Sequence, residues 1–419
     1  MLAFRATFAY LYFSALWILR CAALCFLLQS ITGLLLTLVY EPSLRPAYTE
    51  SGSPLVMIET TQPLYHKASK TRFYAHEILF SPIDTVSKKP MISPDTVRLF
   101  SRILYDTVSG NARLAPIAYY SVEHGIMRSA AFGWLIRGIH RTATGVSIVL
   151  TTLWLILQLL VLAPMQALST REQIAGVLLF SGTVLLTVSG SILPSTLRSQ
   201  ALAEICCTTV EELPYIGTTL AALLKGAPVW SSPSLVRTYI LHILMLPAST
   251  AVCWYILRSL LTQRPLALLA AGIVLTWFCV IITCAYTIPS PNNQHVPAQY
   301  SGTVESFQIA PEWYAHGLTA LLQNIPLWSV SVGSFLWTTC ILLTPIVQRF
   351  AARIASYGNI FAGCMLLLLS FWTIWEARNH HIPSIGFRDE TTIETAVVAT
   401  VLSTIVLLSI WLYTHHSTD

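Results

Sequence analysis

Apolar runs of about 20 residues recur along the chain between short polar or proline-bearing turns, and each can cross a bilayer core of roughly 30 Å. Taking turn residues as punctuation, these runs predict spans at 18–39, 134–162, 174–193, 236–260, 266–288, 327–347, 358–376 and 394–413. The fold class implied is an all-α membrane protein with eight transmembrane helices and both termini on one side. The first four spans make an N-terminal half, 1–262, and the rest a C-terminal half, 263–419.

Three longer polar connections, 41–130, 194–235 and 289–326, fall on the face opposite the termini. The short loops on the terminal side carry Arg171, Arg258, Arg264, Arg349 and Arg353, which places that side in the cytoplasm or matrix. Structureless loops beyond about 15 residues are uncommon, so 41–130 predicts a small extramembrane insertion on the positive side. The three loops gather over one face, and chemistry is expected there.

Composition supports this reading. The chain is 54% hydrophobic and 10% charged, where soluble domains carry roughly 25% charged residues. A net charge of +5 is spread thinly and no basic run interleaves with aromatics, which gives no basis for nucleic-acid binding. Nine cysteines lack any C-x-x-C spacing, and most lie in apolar segments, where a thiol behaves as a small hydrophobe. Disulfides, zinc and covalently attached haem are therefore not expected. The N-terminus has no small-residue cleavage site after a short apolar region, and it reads as retained.

Of eleven histidines, His140 and His242 fall clearly inside predicted spans, at matching depth near the positive side. Two imidazoles projecting inward from two helices can take the two axial positions of a low-spin b-type haem iron. A hydrogen-bonded pair lining a polar cavity is the other reading of the same residues. Arg137 lies one turn before His140, and Arg237 precedes His242. Each can reach a haem propionate from the aqueous edge, although arginine at a helix end also snorkels without a ligand. Gly33 and Gly190 sit toward the positive ends of the first and third spans, where a missing side chain admits a flat macrocycle or simply a close helix contact.

Gly133-Trp134-Leu135-Ile136-Arg137-Gly138-Ile139-His140 resembles the start of the second helix of cytochrome b in cytochrome bc-type complexes, and Ser189-Gly190-Ser191-Ile192-Leu193-Pro194 resembles the end of its third. Pro214-Tyr215-Ile216-Gly217-Thr218 is similar to the short helix that follows. Leu235-Val236-Arg237 with His242 and Pro247 resembles the fourth helix. Pro311-Glu312-Trp313-Tyr314, then Ile325-Pro326, resembles the family's quinol-site tetrad and the approach to the sixth helix. The matches run in order over roughly 18–414, interrupted mainly after Tyr40.

The resemblance implies that His140 and His242 ligate haem b near the positive side, with Arg137 at its propionates. It places Glu312 and Tyr314 at the site of quinol oxidation, within a quinol-binding tetrad of Pro311, Glu312, Trp313 and Tyr314. A carboxylate in reach of a quinol hydroxyl can accept a proton and turn toward water; the bland reading of Glu312 is a solvated loop carboxylate. The implied substrate is ubiquinol or another quinol. The implied assembly is a quinol–cytochrome c reductase with a Rieske-type iron–sulfur protein, a cytochrome c1-type subunit and other respiratory subunits. It is homodimeric, in a mitochondrial inner or bacterial cytoplasmic membrane.

The pattern then departs from the family. A second histidine is expected about four turns along each of the two ligand-bearing helices, and those positions hold Trp154 and Ile256. A glycine expected in the first helix is Leu19, and an arginine expected in the second is Leu157. A quinone-contacting histidine maps near Leu261, and no acidic residue occurs in Arg264-Pro265-Leu266-Ala267. Gly176 alone remains. The expectation is one haem and one quinol site, with the negative-side haem and quinone-reduction site degenerate. A scaffold subunit with little electron transfer of its own is the second reading. A transporter would require paired repeats with helices broken at midplane, and the chain has neither.

Overall fold

The computed structural model describes residues 2–60, 64–66, 71–73, 78–83, 101–103, 113–164, 167–226, 230–286, 327–347, 350 and 352–379. The expected span 394–413 and the tetrad Pro311–Tyr314 lie outside the described residues.

Long helices form where the apolar runs predict them. They are α1 (Leu2–Thr37), then, after a small sheet and the short α2 (Ile117–Tyr120), α3 (Gly133–Leu157) and α4 (Thr170–Ile192). Two polar-face helices follow, α5 (Leu197–Glu211) and α6 (Gly217–Lys225), and then α7 (Ser232–Gln263) and α8 (Pro265–Tyr286). Helices α9 (Leu327–Val347) and α10 (Ala352–Asn379) occupy the positions of the sixth and seventh expected spans. Among the described residues, five helices are long and apolar enough to cross a membrane. Bulky side chains such as Leu244, Trp254 and Trp277 point outward, as they do when lipid is the solvent.

Several helices begin earlier than their apolar runs, and in α4 and α7 polar caps mark the start. In α4 the cause is a capping box: Ser169 Oγ accepts from Glu172 N–H at 3.3 Å while Glu172 Oε2 accepts from Ser169 N–H at 2.8 Å. In α7, Ser231 N–H donates to Ser234 Oγ at 3.0 Å, and Pro233 stands in the first turn, where no amide donor is needed. Polar capping residues carry no hydropathy signal, so the apolar count misses them.

The end of the bundle away from His140 and His242 is closed by the main hydrophobic core. Ala15, Trp17, Leu19, Ala22 and Phe26 of α1 pack there with Leu150 and Trp154 of α3, Leu179 of α4 and Ile256, Leu257 and Leu260 of α7. Burial of apolar surface against neighbouring helices fixes their spacing, because interiors pack densely and tolerate few voids.

At the opposite end the connections converge. Tyr40 O–H donates to Leu193 O at 2.8 Å, Leu44 N–H donates to Ser232 Oγ at 2.9 Å, and Ala118, Ile192, Ala203 and Leu235 form one apolar cluster. The chain after α1 forms an antiparallel sheet in the order β4-β1-β5, from β1 (Leu55–Thr60), β4 (Ile78–Pro82) and β5 (Ser101–Ile103). A hairpin pairs β2 (Leu64–His66) with β3 (Thr71–Phe73). Ala47, Leu55, Met57, Ala115 and Tyr119 give this region its own small core. From Ser121 to Ser129 the helix begun by α2 widens to π-helical geometry before α3 starts.

Candidate functional site

The two predicted histidines occupy equivalent environments built by two helix pairs. His140 of α3 faces α1: its Nδ1 lies 3.0 Å from Gln29 O and 3.1 Å from Thr32 Oγ1. Thr32 Oγ1 donates its proton to Leu28 O at 2.8 Å, so toward the imidazole it acts as acceptor. His242 of α7 faces α4 in the same manner, with Nδ1 at 2.9 Å from Ser189 Oγ and also bonded to the Leu186 carbonyl. Ser189 Oγ donates to Leu185 O at 2.8 Å.

In each pair a hydroxyl residue directly precedes a glycine, and a carbonyl four residues before that glycine receives the imidazole. Both rings are thereby fixed as Nδ1–H donors. Their Nε2 lone pairs remain for a ligand, which is the tautomer that metal-bound histidines use.

The glycines explain how the rings come so close to their partner helices. A Cβ on Gly33 would stand 3.1 Å from His140 Cε1, and one on Gly190 would stand 2.9 Å from His242 Cε1. Both distances are shorter than the carbon–carbon optimum of about 3.5–4.0 Å. The two imidazoles are also close enough for their charges to interact. These features fit a macrocycle ligated on both faces: paired neutral imidazoles, each second nitrogen held, and small residues beside each ring. The site is set apart from the apolar core below it by the buried pair Gln29 and Ser147, joined by a 3.1 Å hydrogen bond.

Both arginines have partners within the protein. Arg137 Nη1 donates to Glu123 Oε1 at 3.3 Å, and both side chains are about a quarter exposed, 24% and 23%. Arg237 Nη1 donates to Leu223 O at 2.6 Å and covers Gly226, which ends α6 in the left-handed region at φ +65°. A cation there also satisfies the last carbonyls of α6. Gln29, Thr32, Leu186 and Ser189 are site residues that hydropathy reading passes over.

The positions about four turns further along α3 and α7 have a different character. Trp154 is fully buried, and its Nε1 lies 2.0 Å from where a Gly176 Cβ would stand. The indole therefore occupies the notch that this glycine opens. Leu19, Ile256 and Leu257 are in the same buried cluster, and Leu157 packs against it. The buried Gln158 borders the same notch, its Oε1 2.7 Å from the Gly176 Cβ position.

Comparison with known proteins finds similarity over part of the chain. Residues 112–265, which carry His140, His242, Arg137, Arg237 and Gly190, match the family described as cytochrome b/b6/petB. Over this segment the chain is similar to the cytochrome b family. The match begins within the stretch 41–130, so its last residues, with Glu123 among them, are part of the family segment. A cytochrome b of Schizosaccharomyces japonicus is 30% identical over 232 residues, covering 50% of this chain and 58% of that protein. One from Wickerhamomyces pijperi is 27% identical over 277 residues, covering 58% of this chain and 67% of its own length. The chain thus spans a little over half of the first relative. A solved structure titled hyperthermophilic respiratory Complex III aligns at TM-score 0.49 and 18% identity, over 86% of this chain and 90% of that one.

Proposed function

We propose that this chain is the cytochrome b subunit of a quinol-oxidising respiratory complex, with one b-type haem near the positive side of the membrane. The observation that carries the reading is the pair of equivalent imidazoles, each with Nδ1 hydrogen-bonded to a hydroxyl of the facing helix and each set against a glycine. His140 and His242 would hold the haem through their free ring nitrogens, and Gly33 and Gly190 would leave room beside them. Arg137, one turn above His140, supplies positive charge at the aqueous edge, where propionates would lie. Arg237 contributes from the α7 side while it holds the end of α6. The bound haem supplies a one-electron acceptor within the low-dielectric bundle.

Quinol oxidation is assigned to Pro311, Glu312, Trp313 and Tyr314. Glu312 accepts a proton from a quinol hydroxyl and passes it toward water, and Tyr314 borders the same site. The negative-side haem and the quinone-reduction site are degenerate, because Trp154 and Ile256 offer no ligand and the space between Gly176 and α3 holds an indole. A Rieske-type iron–sulfur protein and a cytochrome c1-type subunit are the partners, in a homodimeric complex. The same filled core favours a second reading, a scaffold subunit without turnover.

A variant pair separates the two. His242→Leu is expected to remove haem and its absorption band, whereas Glu312→Gln should keep the haem and slow quinol-dependent reduction. A wild-type complex that binds haem yet shows no quinol-dependent reduction leaves the scaffold standing.

A further inference from the structure

The ion pair at the top of α3 joins the haem-edge arginine to a carboxylate that none of the site residues above accounts for. Glu123 lies in the π-helical turn Ser121–Ser129, a geometry that often accompanies functional sites. That turn is clamped against the bundle. A Cβ on Gly133 would lie within 1.9 Å of Ile126 O, and one on Gly125 would lie 2.9 Å from Val39 Cγ1, so both glycines are needed for the fit. The clamp presents the Glu123 carboxylate to Arg137 from a fixed direction, at 3.3 Å. Tyr119, buried beneath it, has its phenol pushed well above the usual range by burial and next by the Glu123 carboxylate, with Arg137 and Arg128 opposing. The carboxylate thus stands beside one guanidinium and near a buried phenol, shielded from water on about three-quarters of its surface.

We propose that Glu123 is a positioning residue that orients Arg137 and offsets its charge, so that the haem held by His140 and His242 has a lower reduction potential than Arg137 alone would give it. The proposal rests on the haem reading above. Its sign follows from electrostatics. Reduction adds an electron near Arg137, and a neighbouring negative charge disfavours that addition, more strongly in a partly shielded site than in bulk water. Removing the carboxylate leaves the edge more positive and favours the ferrous form.

The test is a reductive titration of the haem-loaded complex, wild type against Glu123→Gln and Glu123→Ser, followed at the haem band. Either neutral variant is expected to raise the ferrous-to-ferric ratio at a fixed ambient potential by roughly threefold to tenfold, tenfold being 59 mV for one electron. Glu123→Asp keeps the charge and should stay within about twofold of wild type. Haem content and band position should be unchanged in all three, since Glu123 is no ligand. Haem-loaded neutral variants with the wild-type ratio overturn the proposal, as does an equal shift in Glu123→Asp. Failure of both neutral variants to take up haem while Glu123→Asp loads normally also overturns it, because the residue would then act on assembly and not on potential. A wild-type chain without haem refutes the underlying reading instead.

Discussion

Gly190→Ala adds one methyl group at the tightest contact of the site. Its Cβ would stand 2.9 Å from His242 Cε1, and relieving that overlap to an ordinary contact requires about 0.6–1.1 Å of movement. The imidazole cannot make that movement freely, because its Nδ1 is held at 2.9 Å by Ser189 Oγ. Retreat of the ring stretches that bond toward the limit at which it ceases to count. Losing it costs about 0.5–1.5 kcal/mol, and overpacking adds about 1–3 kcal/mol. Taken at the lower ends, these sum to about 1.5 kcal/mol, close to tenfold in an equilibrium constant. Haem should leave Gly190→Ala about tenfold more readily than wild type, read as transfer to an excess of haem-scavenging globin. Gly33→Ala, with 3.1 Å to His140 Cε1, should show a smaller effect of the same sign. Gly272→Ala in α8, where an added Cβ meets nothing within 4 Å, is the control. It should leave haem retention alone and leave folding neutral or stabilised by up to about 1 kcal/mol. Haem retained by Gly190→Ala as firmly as by Gly272→Ala would refute the argument that this glycine makes room for the ring.

Other predictions address separate parts of the account. Ser189→Ala removes an acceptor from His242 Nδ1 but spares the Leu186 carbonyl, so haem should remain bound while redox titration registers an altered midpoint. Trp154→Ala empties a fully buried position and should destabilise the bundle by about 3–5 kcal/mol in a thermal melt, with the haem absorbance per folded chain unchanged; loss of the haem band there would place the group at the wrong end. Glu312→Gln should slow quinol-dependent haem reduction at constant haem content, and wild-type rates would remove the carboxylate from the mechanism.

The sequence made the helices legible because lipid-spanning segments declare themselves by apolar length alone. Their ends were less legible: Ser169 with Glu172 and Ser231 with Ser234 extend α4 and α7 through polar caps that a hydropathy window discards. His140 and His242 stood out because ionisable groups inside spans are rare. The groups that orient them did not, since a serine, a threonine and two backbone carbonyls look ordinary in sequence. The repeated hydroxyl–glycine step, Thr32-Gly33 and Ser189-Gly190, was the available signal. Arg137 and Arg237 were read as facing a propionate, and the structure adds the partners Glu123 and Leu223, which depend on tertiary placement. That Trp154 and Ile256 stand where the family resemblance leads one to expect histidines was visible in sequence, whereas the indole of Trp154 against Gly176 depends on tertiary placement.

The central claim is that His140 and His242 hold one haem and that no second haem site remains. It is tested most directly by pyridine haemochrome absorbance per chain on the purified complex, combined with a redox titration of the b-band. The account predicts one haem b per chain with a single midpoint. Two haems with separate midpoints, or none, would contradict it.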